Sequence, residues 1–330
     1  MIRDFLKLAF SKGAQLLGNP PQTFVCLAYH RVTSTHTDCH FNPHFIPLST
    51  LRDHLQYINR ACNVLPLDEI MHRLTIGARL YRWPTALCFH GGYPEHLSSV
   101  APICSHDRIP AIFFVPLPNA ETGIRPWYDT LNHLLPHSSH AQKEIVNFLS
   151  KHSGSTLANS PPDLQEIQRL VAHLRSDAKS AFAALTAELA KDELDKSSQA
   201  VLSIDQLLAL RATGMLIGAQ IPPEAYLATT TALEIRRLLE QSASILNRID
   251  PNLPFIVAYA PTLTIQHIGD SLHSIFRELG VLCALTNLRG PNVASTDPYL
   301  LRTITPPNER SASLAQRLSS AFISAHWIRH

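Results

Sequence analysis

The sequence predicts an α/β fold of the barrel type, and three observations carry that expectation. Short apolar runs recur along the 330 residues. Stretches of helical period separate them, so that strand follows helix follows strand. Hydrophobic residues make up 45% and charged residues 16%, enough to build a large core and too little charge for a disordered chain.

The strand candidates are residues 24–29, 86–89, 111–115, 216–219, 255–259 and 281–285. Each is a run of four to six mostly apolar residues, the length and character of a strand buried on both faces. Helical spacing marks 51–61, 67–74, 96–106, 232–247 and 269–279 between them. Residues 117–210 break the alternation. Helical patterns at 141–151, 162–175, 177–191 and 204–212 make this segment a helical insertion, a lid or a wall over one face. The segment 311–330 has the pattern of a terminal helix. The expected organisation is therefore an amphipathic helix in 1–22 followed by one barrel domain, 23–330.

Ile2, Phe5, Leu6, Leu8, Ala9 and Phe10 give the first helix its apolar character. Arg3, Asp4, Lys7 and Lys12 interrupt them, unlike a signal peptide. Two roles fit such a helix: packing on the domain, or a weak contact with a membrane surface through residues 1–18. No run of about 18 apolar residues occurs, so no transmembrane span is expected.

Twenty-eight basic residues against 26 acidic ones leave a net charge of +2, and a nucleic-acid partner is not expected. The six cysteines form no C-x-x-C pair, which speaks against a zinc ribbon and fits a reducing cytosol. Glycine-rich phosphate loops and the G-x-S-x-G elbow are both missing.

The strand ends, taken in order, form a pattern. The first ends Leu27-Ala28-Tyr29-His30-Arg31-Val32, and the second Cys88-Phe89-His90-Gly91-Gly92-Tyr93. Then come Trp127-Tyr128-Asp129, Ile217-Gly218-Ala219-Gln220, Ala258-Tyr259-Ala260-Pro261 and Leu301-Arg302. This series resembles the polysaccharide deacetylase family, the NodB-type carbohydrate esterases, from about residue 23 to residue 304. The resemblance implies a distorted (β/α) barrel with a helical insertion and a role in bacterial surface-polysaccharide metabolism. In the family, a divalent metal and a general base remove acetyl groups from sugars. The second strand there ends T-F-D-D-G-Y, where the first Asp is the base and the second binds the metal. An H-x-x-x-H stretch after an I-G-x segment supplies two more ligands.

This chain departs at those positions. His90 stands at the base position and Gly91 at the metal-binding Asp. Gln220 and Glu224 stand at the two His positions, with Pro222 and Pro223 between them. A catalytic metal site needs about three protein ligands and an open position, and neither Gly nor a neutral Gln meets that need. The expectation is thus a deacetylase-like protein that has lost the inherited catalysis and expects no cofactor. It would bind a glycan or glycolipid precursor, or partner another polysaccharide-biosynthesis protein, in the cytoplasm or peripheral to the inner membrane.

A second reading keeps an active N- or O-deacetylase with a rebuilt site around His90, Glu224 and His30, and only this reading calls for a divalent metal, zinc or similar. The His-rich stretch 36–44 is a further ligand-type cluster, or simply a polar loop. Tyr93, Trp127, Asp129, Tyr259 and Arg302 are the candidates for substrate binding. Aromatic faces suit a pyranose ring, and charged groups suit its hydroxyls. Core packing and an ion pair bracing the barrel are the plainer readings of the same residues.

Overall fold

The computed structural model describes residues 2–16, 22–33, 45–123, 127–135, 137–153, 164–193, 201–221, 231–259 and 270–325. In chain order it runs α1 Ile2–Leu16, β1 Thr23–Tyr29, β2 Arg31–Thr33, β3 Phe45–Pro47, α2 Leu48–Ala61, β4 Asn63–Val64, α3 Leu67–Thr75 and β5 Pro84–His90. A π-helical turn, His96–Val100, leads into α4 Ala101–His106, followed by β6 Ile112–Val115. The helices α5 Leu117–Thr122, α6 Trp127–Leu134, α7 Ser139–Ser153, α8 Leu164–His173, α9 Ser176–Glu193 and α10 Ile204–Ala212 come next. The chain continues with β7 Leu216–Gln220, α11 Ala232–Ile249, β8 Ile256–Ala258, α12 Asp270–Glu278, β9 Cys283–Arg289, β10 Asn292–Val293, β11 Leu301–Ile304 and α13 Ser311–Ala325.

Seven parallel strands close on themselves in the order β1-β5-β6-β7-β8-β9-β11-β1. Chain order and spatial order coincide, the signature of a (β/α) barrel. Strand parity then decides every direction. Phe24, Cys26, Ala86, Cys88, Ile112, Phe114, Ile256, Ala258, Cys283 and Leu285 fill the lumen, with Leu67, Ile70 and Met71 of α3 packed among them. Their alternates, Val25, Leu27, Tyr29, Leu87, Phe89, Phe113, Val115 and Ile217, point outward beneath the helical layer. The antiparallel β10 pairs with the start of β1, at Thr23 and Phe24, so that edge is the lower one.

Leu301–Ile304 is a seventh barrel strand, marked in the sequence only by the Leu301-Arg302 strand end and not by an apolar run. It is four residues long and carries an exposed Arg302, so its alternation is too brief to stand out. The predicted helix at 96–106 opens with a π-helical turn instead of an α-helical one.

The segment between β6 and β7 is helical in its described parts. Leu117 and Ala120 of α5 and Leu207 and Leu210 of α10 join the core outside the barrel wall. Helices α6 to α9 gather around a separate core that includes Leu131, Ile145, Leu149, Ile167, Val171 and Phe182. A capping box, Ser203 with Gln206, starts α10, and another, Thr231 with Glu234, starts α11.

Candidate functional site

The site lies where the barrel strands end. Register puts Tyr29 opposite Phe89 and His90 opposite Phe114, so His30 and His90 reach the upper rim at the same level. Both have the parity of lumen residues. Their rings stack, centroids 5.2 Å apart and planes 22° from parallel. On its other side His90 stacks on Phe114, at 5.0 Å and 23°. The column is possible because Gly218 lies beneath it. A β-carbon on Gly218 would meet the Phe114 ring at 2.6 Å. Each such stack is worth about 0.5–1.5 kcal/mol beyond burial.

The His30 carbonyl is held by a residue that sequence reasoning missed. His96 Nε2 sits 2.8 Å from it. A carbonyl only accepts, so Nε2 carries the proton. Burial lowers the pKa of His96 below the ordinary histidine value, and its ring is neutral at pH 7.

Gly91 follows His90 with φ +105°, a conformation that favours glycine. Its N–H points at the Phe114 carbonyl and at Gln220 Oε1, each 2.9 Å away. The space for a β-carbon is filled: an ideal Cβ on Gly91 would stand 2.2 Å from Cε2 of Tyr93 and 2.5 Å from its Cζ. Tyr93 is buried, and its hydroxyl donates to Asp129 Oδ1 at 3.1 Å. The Arg31 guanidinium covers the ring at 4.3 Å from its centroid. Arg31 Nε in turn donates to Glu95 Oε1 at 2.5 Å, and its Nη1 lies 3.9 Å from Asp129 Oδ1. Burial works against the Arg31 charge, but Glu95 and Asp129 outweigh it and hold the guanidinium protonated. The cation–π contact contributes about 1–2 kcal/mol in this partly desolvated setting.

Beside this network opens a cavity of about 270 Å³ lined by Arg31, Val32, Thr33, Phe45, Leu48, Glu95 and Ser99. Donors, acceptors and one aromatic face converge there, at the small end of ligand pockets.

His30, His90, Gly91, Tyr93, Asp129 and Gln220 thus come together, and Arg31, Glu95, His96 and Phe114 join them. Two sequence candidates do not. Tyr259 has the parity of Val257, not of Ala258, so its ring packs outward with Phe276 beneath α12. Burial is what raises its pKa above the usual tyrosine value. Arg302 lies one residue before Thr303, which pairs with Cys26 halfway along β1. Its side chain is exposed and its Nη1 contacts the Arg289 carbonyl at 3.5 Å. Neither side chain joins the His30–His90 cluster: the Tyr259 ring sits at the rim but faces the outer layer, and Arg302 lies on the outer wall. Trp127 begins α6, but its side chain, Glu224 and the 36–44 cluster lie outside the described residues.

No family model matches the sequence, and no curated protein does. Solved structures do match. The Streptococcus pyogenes deacetylase PplD, in complex with acetate, has a TM-score of 0.59 at 13% identity, over 91% of this chain and 99% of that one. IcaB from Ammonifex degensii has a TM-score of 0.56 at 12% identity, covering 90% of this chain and 97% of its own. A polysaccharide deacetylase from Bacillus cereus gives 0.53 at 12% identity, over 90% of this chain and 69% of that one.

The fold is that of the polysaccharide deacetylases.

On the polysaccharide deacetylase fold, two of the three positions that the sequence resemblance assigns to metal ligands fall side by side, since Gln220 Oε1 accepts from Gly91 N–H. Among the described residues, Gly91 and Gln220 do not fit a divalent cation. Gly91 offers no side-chain donor, Tyr93 fills the space one would need, and the Gln220 oxygen already accepts a hydrogen bond from the Gly91 N–H. Among the described residues, no group of three His, Cys, Asp or Glu side chains is spaced to hold a metal ion.

Proposed function

We propose that this chain is a carbohydrate-binding protein built on the deacetylase fold, which does not remove acetyl groups by the metal-dependent route. Its place would be bacterial surface-polysaccharide metabolism, in the cytoplasm, binding a glycan or glycolipid precursor or partnering an active enzyme. One observation carries the reading: the Tyr93 ring occupies the β-carbon space of Gly91. A ligand there must displace a buried ring that is hydrogen-bonded to Asp129 and covered by Arg31. The cavity beside it supports the binding half. Arg31 offers donors and Glu95 acceptors to sugar hydroxyls, and Phe45 offers a face to the ring carbons.

The test uses protein purified without a histidine tag. Calorimetry with N-acetylglucosamine oligomers should show binding that chelator leaves unchanged and Glu95→Gln weakens about tenfold or more, the loss of a charge-assisted hydrogen bond. No acetate should be released. Metal-dependent acetate release would overturn the proposal.

The inward His30–His90 pair favours one alternative, a hydrolase rebuilt around His90 and Glu224. Under it, stoichiometric zinc or a similar metal accompanies the protein and is lost on His90→Ala.

A further inference from the structure

A surface helix ordinarily buries its apolar stripe and shows its polar one to water. In α1 the stripe turned to the domain is largely polar, and several apolar side chains face water. The stripe facing the domain is Lys7, Ser11 and Ala14. Lys7 Nζ donates to Ser313 Oγ at 2.7 Å and lies 3.6 Å from Glu309 Oε2. Ser11 Oγ and Tyr57 Oη share a hydrogen bond of 2.7 Å, and only Ala14 enters the apolar core. Around the rest of the helix Phe5, Leu6 and Phe10 are 71%, 60% and 48% exposed, with Phe5 turned most directly away from the domain. Leu8 adds a fourth exposed apolar side chain.

Charge selects what covers this face. A groove of about 470 Å³ runs between α1 and α2, lined by Phe5, Leu8 and Ala9 on one side and Tyr57 and Ala61 on the other. The charged residues lining it are Lys12 and Arg60, both cationic. A second copy placed on the same patch by two-fold symmetry would bring these cations against their own equivalents. A bilayer rich in anionic lipid meets both requirements, since aromatic and leucine side chains enter the acyl boundary while Lys and Arg stay with the phosphates. No described helix is long and apolar enough to cross a membrane, so α1 would lie along the surface.

We propose that the exposed face of α1, with Lys12 and Arg60 beside it, docks the protein on anionic phospholipid. The full chain should sediment with vesicles of phosphatidylglycerol and phosphatidylcholine, and about tenfold less with phosphatidylcholine alone or in high salt. The double variant Phe5→Ser, Leu6→Ser should lose binding to the mixed vesicles by about tenfold or more. Its melting temperature should not change, because both side chains already face water. Lys12→Glu with Arg60→Glu should abolish the preference for anionic lipid. Failure of the unmodified protein to sediment with anionic vesicles overturns the proposal. So does sedimentation of the Phe5/Leu6 variant at the wild-type level, or a wild-type dimer that this variant dissociates.

Discussion

Tyr29 and His54 share a hydrogen bond of 3.3 Å between the tyrosine hydroxyl and Nδ1 of the imidazole, and neither side chain reaches solvent. Nε2 of His54 lies 2.6 Å from the Glu309 carbonyl, which can only accept. His54 therefore carries a proton on Nε2, and it ties β1 to the segment before α13 through α2. Burial lowers its pKa below the ordinary histidine value and so favours the neutral ring, and His96 is lowered by the same cause.

The sign of the pH effect follows. The unfolded chain takes up protons near pH 6.5 at both histidines, while the folded chain does not. Their contribution is complete above that pH and is lost as pH falls through it towards the depressed folded values. Stability should decline by as much as about 1.4 kcal/mol per pH unit for each histidine that stays neutral. Urea denaturation at a series of pH values measures it, and His54→Gln should remove up to one proton from the slope. A flat profile below neutrality would contradict the buried neutral state of both rings.

Restoring a carboxylate at position 91 tests the steric reading of the site. Gly91→Asp must place a Cβ at φ +105° against the Tyr93 ring, and should cost about 2–4 kcal/mol. Tyr93→Ala empties a buried position and should itself cost about 3 kcal/mol or more. Combined, the two should cost less than their sum by at least about 1 kcal/mol, because the second change removes the clash caused by the first. A double-mutant cycle from denaturant melts measures the coupling. Strict additivity would mean that the ring does not occupy the space.

Five cysteines, Cys26, Cys62, Cys88, Cys104 and Cys283, are free thiols and buried. Burial pushes Cys62 and Cys104 up to about 12, and Cys88 and Cys283 well above the ordinary thiol value. Only thiolates attack disulfide reagents at a useful rate. In a Cys39→Ser background, the native protein at mild alkaline pH should leave all five unmodified by an aromatic disulfide reagent, whereas guanidinium should expose all five. Rapid native labelling of Cys26, Cys88 or Cys283 would mean that the barrel lumen is open.

The barrel was legible because apolar runs such as 24–29 and 86–89 are local, and their alternation survives whatever surrounds them. The positions of His30, His90 and Gln220 at strand ends were legible for the same reason. Arg302 and Tyr259 stand apart from the His30–His90 cluster for opposite causes. The first sits in a strand too short to read, and the second follows β8, where a shift of one residue turns a side chain from lumen to outer wall. Glu95 and His96 carried no signal, since their partners Arg31 and His30 lie 64 and 66 residues away.

By itself, then, the sequence determined the strand-and-helix rhythm, the loss of carboxylate and imidazole donors at three positions, and an amphipathic first helix. Only the tertiary structure decided that the Tyr93 ring fills the room left at Gly91, and that α1 turns Lys7 and Ser11 inward and Phe5 and Phe10 out. Periodicity specifies which residues share a face. Which way that face turns depends on contacts between segments far apart in the chain, and those exist only once the barrel has closed.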